Sequence, residues 1–134
     1  MPLILPGNVA SATAAVGYNV ANSCRFNDGD SSYLSRELDA ETDKDKWTYS
    51  VWVKRSVLSA TSTLHHIYTS GDDHQFFKFD SSNALNFNAE RGGSSVGKLF
   101  TDRLFRDPSA WYHFVIVWDS ANGTAGNRMR MYIN

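Results

Sequence analysis

The chain of 134 residues carries one cysteine, Cys24, so it closes no disulfide within itself and the framework that staples small secreted domains is excluded. Long apolar runs are missing too. No stretch approaches the roughly 20 apolar residues that a membrane helix needs, so no membrane insertion is expected. The opening Met1-Pro2-Leu3-Ile4-Leu5-Pro6-Gly7 has neither the basic start nor the apolar length of a signal peptide, and assembly in a reducing cytoplasm is the expectation. An excess of charge of one sign is also lacking. The net charge is −1 and no lysine or arginine run forms a patch, which argues against nucleic acid as a partner. Amphipathic helices of any length are absent as well.

What is there suits a sheet. Apolar residues make up 42% of the chain and the aromatics include 4 Trp, 6 Tyr and 8 Phe, enough for one domain with a real core. The strongest strand signal is Ala110-Trp111-Tyr112-His113-Phe114-Val115-Ile116-Val117-Trp118-Asp119. Alternation puts Trp111, His113, Val115 and Val117 on one face and Tyr112, Phe114, Ile116 and Trp118 on the other. Both faces are apolar, which predicts a central strand covered on both sides. Trp47 to Lys54 alternates cleanly, with Trp47, Tyr49, Val51 and Val53 inward and Trp52 an aromatic exception on the polar face. Leu64 to Thr69 and Gln75 to Phe79 flank the turn Ser70-Gly71-Asp72-Asp73, and Ala84 to Asn88 continues a meander. Glu90 to Ser95 is a Gly-rich turn before a strand over Val96 to Thr101, and a last strand places Met129, Met131 and Ile133 inward. Cys24-Arg25-Phe26 and Ser32-Tyr33-Leu34-Ser35 are short strand candidates around the turn Asn27-Asp28-Gly29-Asp30. Residues 1–20 read as an extended N-terminal arm, docking or flexible, with Leu3, Ile4 and Leu5 as its assembly contacts. Residues 21–134 read as one antiparallel β-sandwich, all-β in class.

Three blocks carry a family resemblance: Phe26-Asn27-Asp28-Gly29-Asp30-Ser31-Ser32-Tyr33-Leu34, Trp47-Thr48-Tyr49-Ser50-Val51-Trp52-Val53-Lys54, and Trp111-Tyr112-His113-Phe114 with Arg130-Met131-Tyr132-Ile133-Asn134. In order and spacing they resemble laminin G-like domains of the concanavalin A-like lectin/glucanase superfamily. They look most like the variety encoded in tailed-phage genomes near tail-fibre genes. Gly17-Tyr18-Asn19-Val20-Ala21-Asn22-Ser23 and Phe105-Arg106-Asp107-Pro108-Ser109-Ala110-Trp111-Tyr112-His113 are similar to blocks of those proteins. The resemblance implies a jelly-roll sandwich with further strands beyond the position of Asn134. Its second sheet is expected to be incomplete here unless a longer chain or a partner completes it.

Hydrolases of this fold carry Glu-x-Asp-x-x-Glu on one strand, and no strand here matches, so no enzymatic activity is expected. Asp39-x-Glu41-x-Asp43-x-Asp45 has the early spacing of a calcium loop but lacks its glycine and distal glutamate, and reads as a solvated loop. Asp28 with Asp30, or Asp72 with Asp73, are the candidate rim calcium residues that the resemblance implies, ordinary turn chemistry being the alternative. No cofactor is required. His65 and His66 point to opposite faces, and His74 across the turn is placed to approach one of them, without an evident third zinc ligand. His113 reads as a packed histidine, since no serine or cysteine nucleophile pattern accompanies it, and Asn122-Gly123-Thr124 as a turn rather than a glycosylation site. Trp52 is the candidate contact for a glycan or a neighbouring chain, packing beneath a loop being the alternative. The expectation is a non-enzymatic virion structural protein of a phage tail or tail fibre. It would be homo-oligomeric, a trimer if a fibre, and bound to other virion proteins, with host-surface glycan binding as the alternative role and glycoside hydrolysis a weak third.

Overall fold

The computed structural model describes residues 22–37, 43 and 45–134. The chain divides into two compact units, Met1–Asp39 and Ala40–Asn134. In the first, Asn27 opens a 3-10 turn over Asp28–Asp30, its side-chain amide donating to Asp30 Oδ2 at 3.0 Å. Ser31 closes the turn with φ 48°. The expected strands over Cys24-Arg25-Phe26 and Ser32-Tyr33-Leu34-Ser35 do not form, because among the described residues neither segment has a ladder partner. Strand propensity without a neighbouring strand leaves the backbone hydrogen bonds unmade.

The described residues of the second unit form β1 (Lys46–Lys54), β2 (Ser62–Tyr68), β3 (His74–Phe79), β4 (Ala84–Arg91), β5 (Ser94–Leu104), β6 (Trp111–Asp119) and β7 (Met129–Ile133). β1-β6-β7 make one antiparallel sheet and β2-β3-β4-β5 the other. The strong strand signal of the sequence thus becomes β6, the centre of the first sheet. Trp47, Tyr49, Val51 and Val53 lie opposite Trp118, Ile116, Phe114 and Tyr112. All eight residues face the second sheet.

Aromatic rings fill the space between the sheets. Phe114 meets Phe77, Phe79 and Phe105 edge-on at centroid distances of 5.8, 5.8 and 5.3 Å. Such pairs add about 0.5–1.5 kcal/mol each beyond the area they bury. Phe77, Phe79, Phe87, Phe105, Phe114, Leu85 and Ile116 are fully enclosed. A buried cation ties the loops at one end of this core. The Arg55 guanidinium donates to Phe105 O at 2.7 Å, Asn83 Oδ1 at 3.1 Å and Val57 O at 3.0 Å, and lies 4.2 Å from the Phe79 ring centre. Those partners make its 5% exposure tolerable, since a buried charge is costly unless paired or hydrogen-bonded.

Three departures from the expected strand plan have local causes. A bulge between Thr63 and His65 breaks the alternation of β2, so that Leu64 and His65 both face the core, His65 stacked on Tyr49 at 4.5 Å. β4 and β5 run past the predicted ends at Asn88 and Val96, because Gly92 and Gly93, at φ 57° and 69°, close a two-residue turn and let Arg91 pair with Ser94. Only one face of β6 is fully covered: Tyr112, Phe114, Ile116 and Trp118 are buried, while Trp111 on the other face is 52% exposed. The expectation of cover on both sides is therefore corrected. At Gly97 β5 comes close to β7, and a side chain there would run into Met129.

Candidate ligand-binding face

The outer face of the β1-β6-β7 sheet is built from the residues that alternate away from the core. The ladder sets Thr48 beside Val117 and Arg130, Ser50 beside Val115 and Tyr132, Trp52 beside His113, and Lys54 beside Trp111. Trp52, Trp111 and Tyr132 are 54, 52 and 52% exposed. Three large rings thus stand on one face, with Trp52 and Trp111 diagonal neighbours at a Cβ spacing of roughly 7–8 Å.

One of these rings is fixed. Trp52 stacks on the His113 imidazole at a centroid distance of 4.8 Å and an interplanar angle of 12°. His113 is held in turn by a 2.9 Å hydrogen bond between Ser50 Oγ and its Nε2, and its backbone N–H donates to Asn134 Oδ1 at 2.8 Å. A serine beside His113 was not legible in advance, because the pairing depends on the register of β1 against β6. Proximity of a serine hydroxyl to an imidazole raises the question of nucleophilic catalysis. Among the described residues no carboxylate hydrogen-bonds the His113 ring. The pair positions the ring on which Trp52 rests.

Carboxylates are sparse here. Asp119 lies at the margin of the face, 3.9 Å from Lys46 Nζ, and accepts a hydrogen bond from Asn122 Nδ2 at 2.9 Å. Glycoside hydrolysis requires two carboxyl groups about 5–9 Å apart across the scissile bond, and the strand residues of this face supply one, at its edge.

The other sequence-derived candidates fall elsewhere. Asp72 and Asp73 build the β2–β3 turn and dock it onto the β4–β5 turn. Asp73 Oδ1 accepts the Gly92 N–H at 3.0 Å, and Asp72 O accepts that of Gly93 at 2.9 Å. Asp30 is engaged with Asn27. Among the described residues no three His, Cys, Asp or Glu side chains gather as a metal site. Leu3, Ile4 and Leu5, together with Asp39 and Glu41, lie outside the described residues, as does the Asp28 side chain. His66 comes to 5.7 Å from His74, ring to ring, while His65 turns inward, where burial first and the neighbouring His66 second hold its pKa below the ordinary value. Trp111 and Tyr132 were missed as site residues. Their signal was the same alternation that singled out Trp52, once the opposite face of β6 is assigned to the core.

Two antiparallel sheets closed over an aromatic core define the class of protein: a lectin- or glucanase-like β-sandwich. Residues 27–134 match the laminin G-like family of the concanavalin A-like lectin/glucanases superfamily, and the chain belongs to that family. No curated protein and no solved structure matches it.

Proposed function

We propose that this domain is a non-catalytic glycan-binding module whose contact surface is the outer face of β1-β6-β7. The observation that carries the reading is Trp52, more than half exposed yet locked flat against His113. An exposed ring that is already ordered loses little freedom when a sugar stacks on it, so more of the contact energy appears as affinity. Ser50, Thr48 and Arg130 supply polar groups beside the rings, as orientation of a polyhydroxylated ligand requires. A glycan array probed with the full chain and with Trp52→Ala tests it. The expected result is a defined set of bound glycans, with affinity in the variant reduced at least tenfold, about 1.4 kcal/mol. An array without hits, or hits unchanged by the substitution, removes the proposal.

The setting we infer is a tailed-phage particle, with the sandwich carried on a tail-associated structural protein that docks through residues 1–16 and assembles as a homo-oligomer. This rests on the likeness of the Gly17 to Ser23 and Phe105 to His113 blocks to phage-encoded sequences. Tagged protein lacking residues 1–16, expressed during infection, is expected to be absent from purified particles. Its incorporation at the full-length level would contradict the docking role.

A further inference from the structure

The opposite outer face, carried by β2-β3-β4-β5, has a different chemistry. Its ladder sets out three rows: Tyr68, His74, Glu90 and Ser95; His66, Phe76, Asn88 and Lys98; Thr63, Lys78, Asn86 and Phe100. Asn86 and Asn88 on the central strand are only 8% and 3% exposed. On the β3 side Lys78 Nζ lies 4.0 Å from the Phe76 ring centre, and on the β5 side Phe100 stands 60% exposed.

Charge on this face is unevenly committed. Glu90 is used twice, its Oε1 accepting from Asn88 Nδ2 at 2.6 Å and its Oε2 lying 3.7 Å from His74 Nε2. Asn88 is completed by Ser95 Oγ, donating to its Oδ1 at 3.1 Å. His66, exposed on β2, has the His74 ring 5.7 Å away and Lys78 as a further cationic neighbour, with Tyr68 at 5.7 Å along the strand. Burial first, then the nearby His74 and Lys78, lower the His66 pKa. The remaining charges of the face are Lys98 on β5 and Asp102, which follows Phe100 by two residues and so lies past the end away from the histidines.

We propose that the corner formed by His66, Tyr68 and Lys78 binds an acidic sugar, the exposed Tyr68 ring taking the pyranose and the Lys78 ammonium, with protonated His66, taking its carboxylate or sulfate. Tyr68 is 65% exposed, and His66 and Lys78 approach from two neighbouring strands, which suits one anionic group carried on a ring. This site is on the other sheet from Trp52 and takes a different class of sugar, so either can fail without the other.

The test is calorimetric titration of the full chain, at pH 5.5 and 7.5 and fixed ionic strength, with three hexasaccharides: hyaluronan-derived (carboxylate), heparin-derived (sulfate) and the neutral chitohexaose. At least one acidic oligosaccharide is expected to bind, severalfold more tightly at pH 5.5 than at pH 7.5, because lower pH favours protonated His66. His66→Gln and Lys78→Met should each weaken it roughly tenfold, the scale of a charge-assisted hydrogen bond, while Trp52→Ala leaves it unchanged. The arm that binds tells carboxylate from sulfate. Circular dichroism of both variants checks that the sheet is intact, and Lys78→Arg, which keeps the charge, should retain binding. The proposal is overturned if neither acidic hexasaccharide binds, if binding survives both substitutions, if Trp52→Ala abolishes it, or if chitohexaose binds with the same sensitivity to the variants.

Discussion

At the scale of the residue, His65 shows how the packing fixes a charge state. The bulge in β2 turns it inward onto Tyr49, where burial favours the neutral imidazole and its pKa falls below the ordinary histidine value near 6.5. The unfolded chain therefore binds more protons than the folded one once pH drops below about 6.5, and stability is lost as pH falls through that window. His66 is shifted the same way but is exposed, so it contributes less. Asp80 and Asp107, whose pKa values are lowered chiefly by the hydroxyls of Ser82 and Ser109, act at more acid pH. The melting temperature is thus expected to fall between pH 7.5 and 5.5, and His65→Phe, which keeps a ring but cannot titrate, should flatten the dependence. An unchanged slope in the variant would show that the inward histidine is not its source.

At the scale of the element, the two faces of β6 are unequal although their sequences look alike. Phe114→Ala removes a ring enclosed by Phe77, Phe79 and Phe105, and is expected to cost about 3–5 kcal/mol in urea unfolding. Val115→Ala, one residue along on the open face, should cost about 1 kcal/mol or less. Similar losses at both sites would contradict the assignment of faces. This strand also shows what could be read in advance. Its existence, its central place and the Ser70 to Asp73 hairpin follow from short-range alternation and turn residues, which are local properties of the chain. Which face of β6 is core does not, because Trp111 and Val117 are as apolar as Phe114 and Ile116, and the choice is made by the sheet that packs against it. Trp52 was legible as a lone ring on a polar face. Its partner His113 was not, since β1 and β6 meet only through a register set by the whole core. The strand candidates near Cys24 and Tyr33 erred for the same reason: propensity is local, a ladder is not.

At the scale of the whole domain, one core carries two outer faces of opposite character. The β1-β6-β7 face presents rings with few charges, and the β2-β3-β4-β5 face presents histidines and lysines beside the asparagines of its central strand. The four tryptophans offer a direct reading of the central claim. Trp52 and Trp111 stand on the proposed contact face, whereas Trp47 packs against the core and Trp118 is 8% exposed within it. Titrating the strongest array ligand while following the four indole Nε1–H resonances by NMR should shift those of Trp52 and Trp111 and leave those of Trp47 and Trp118 in place, with the glycan intact afterwards. Unmoved Trp52 and Trp111 signals at saturation, or a glycan cleaved during the titration, would contradict it.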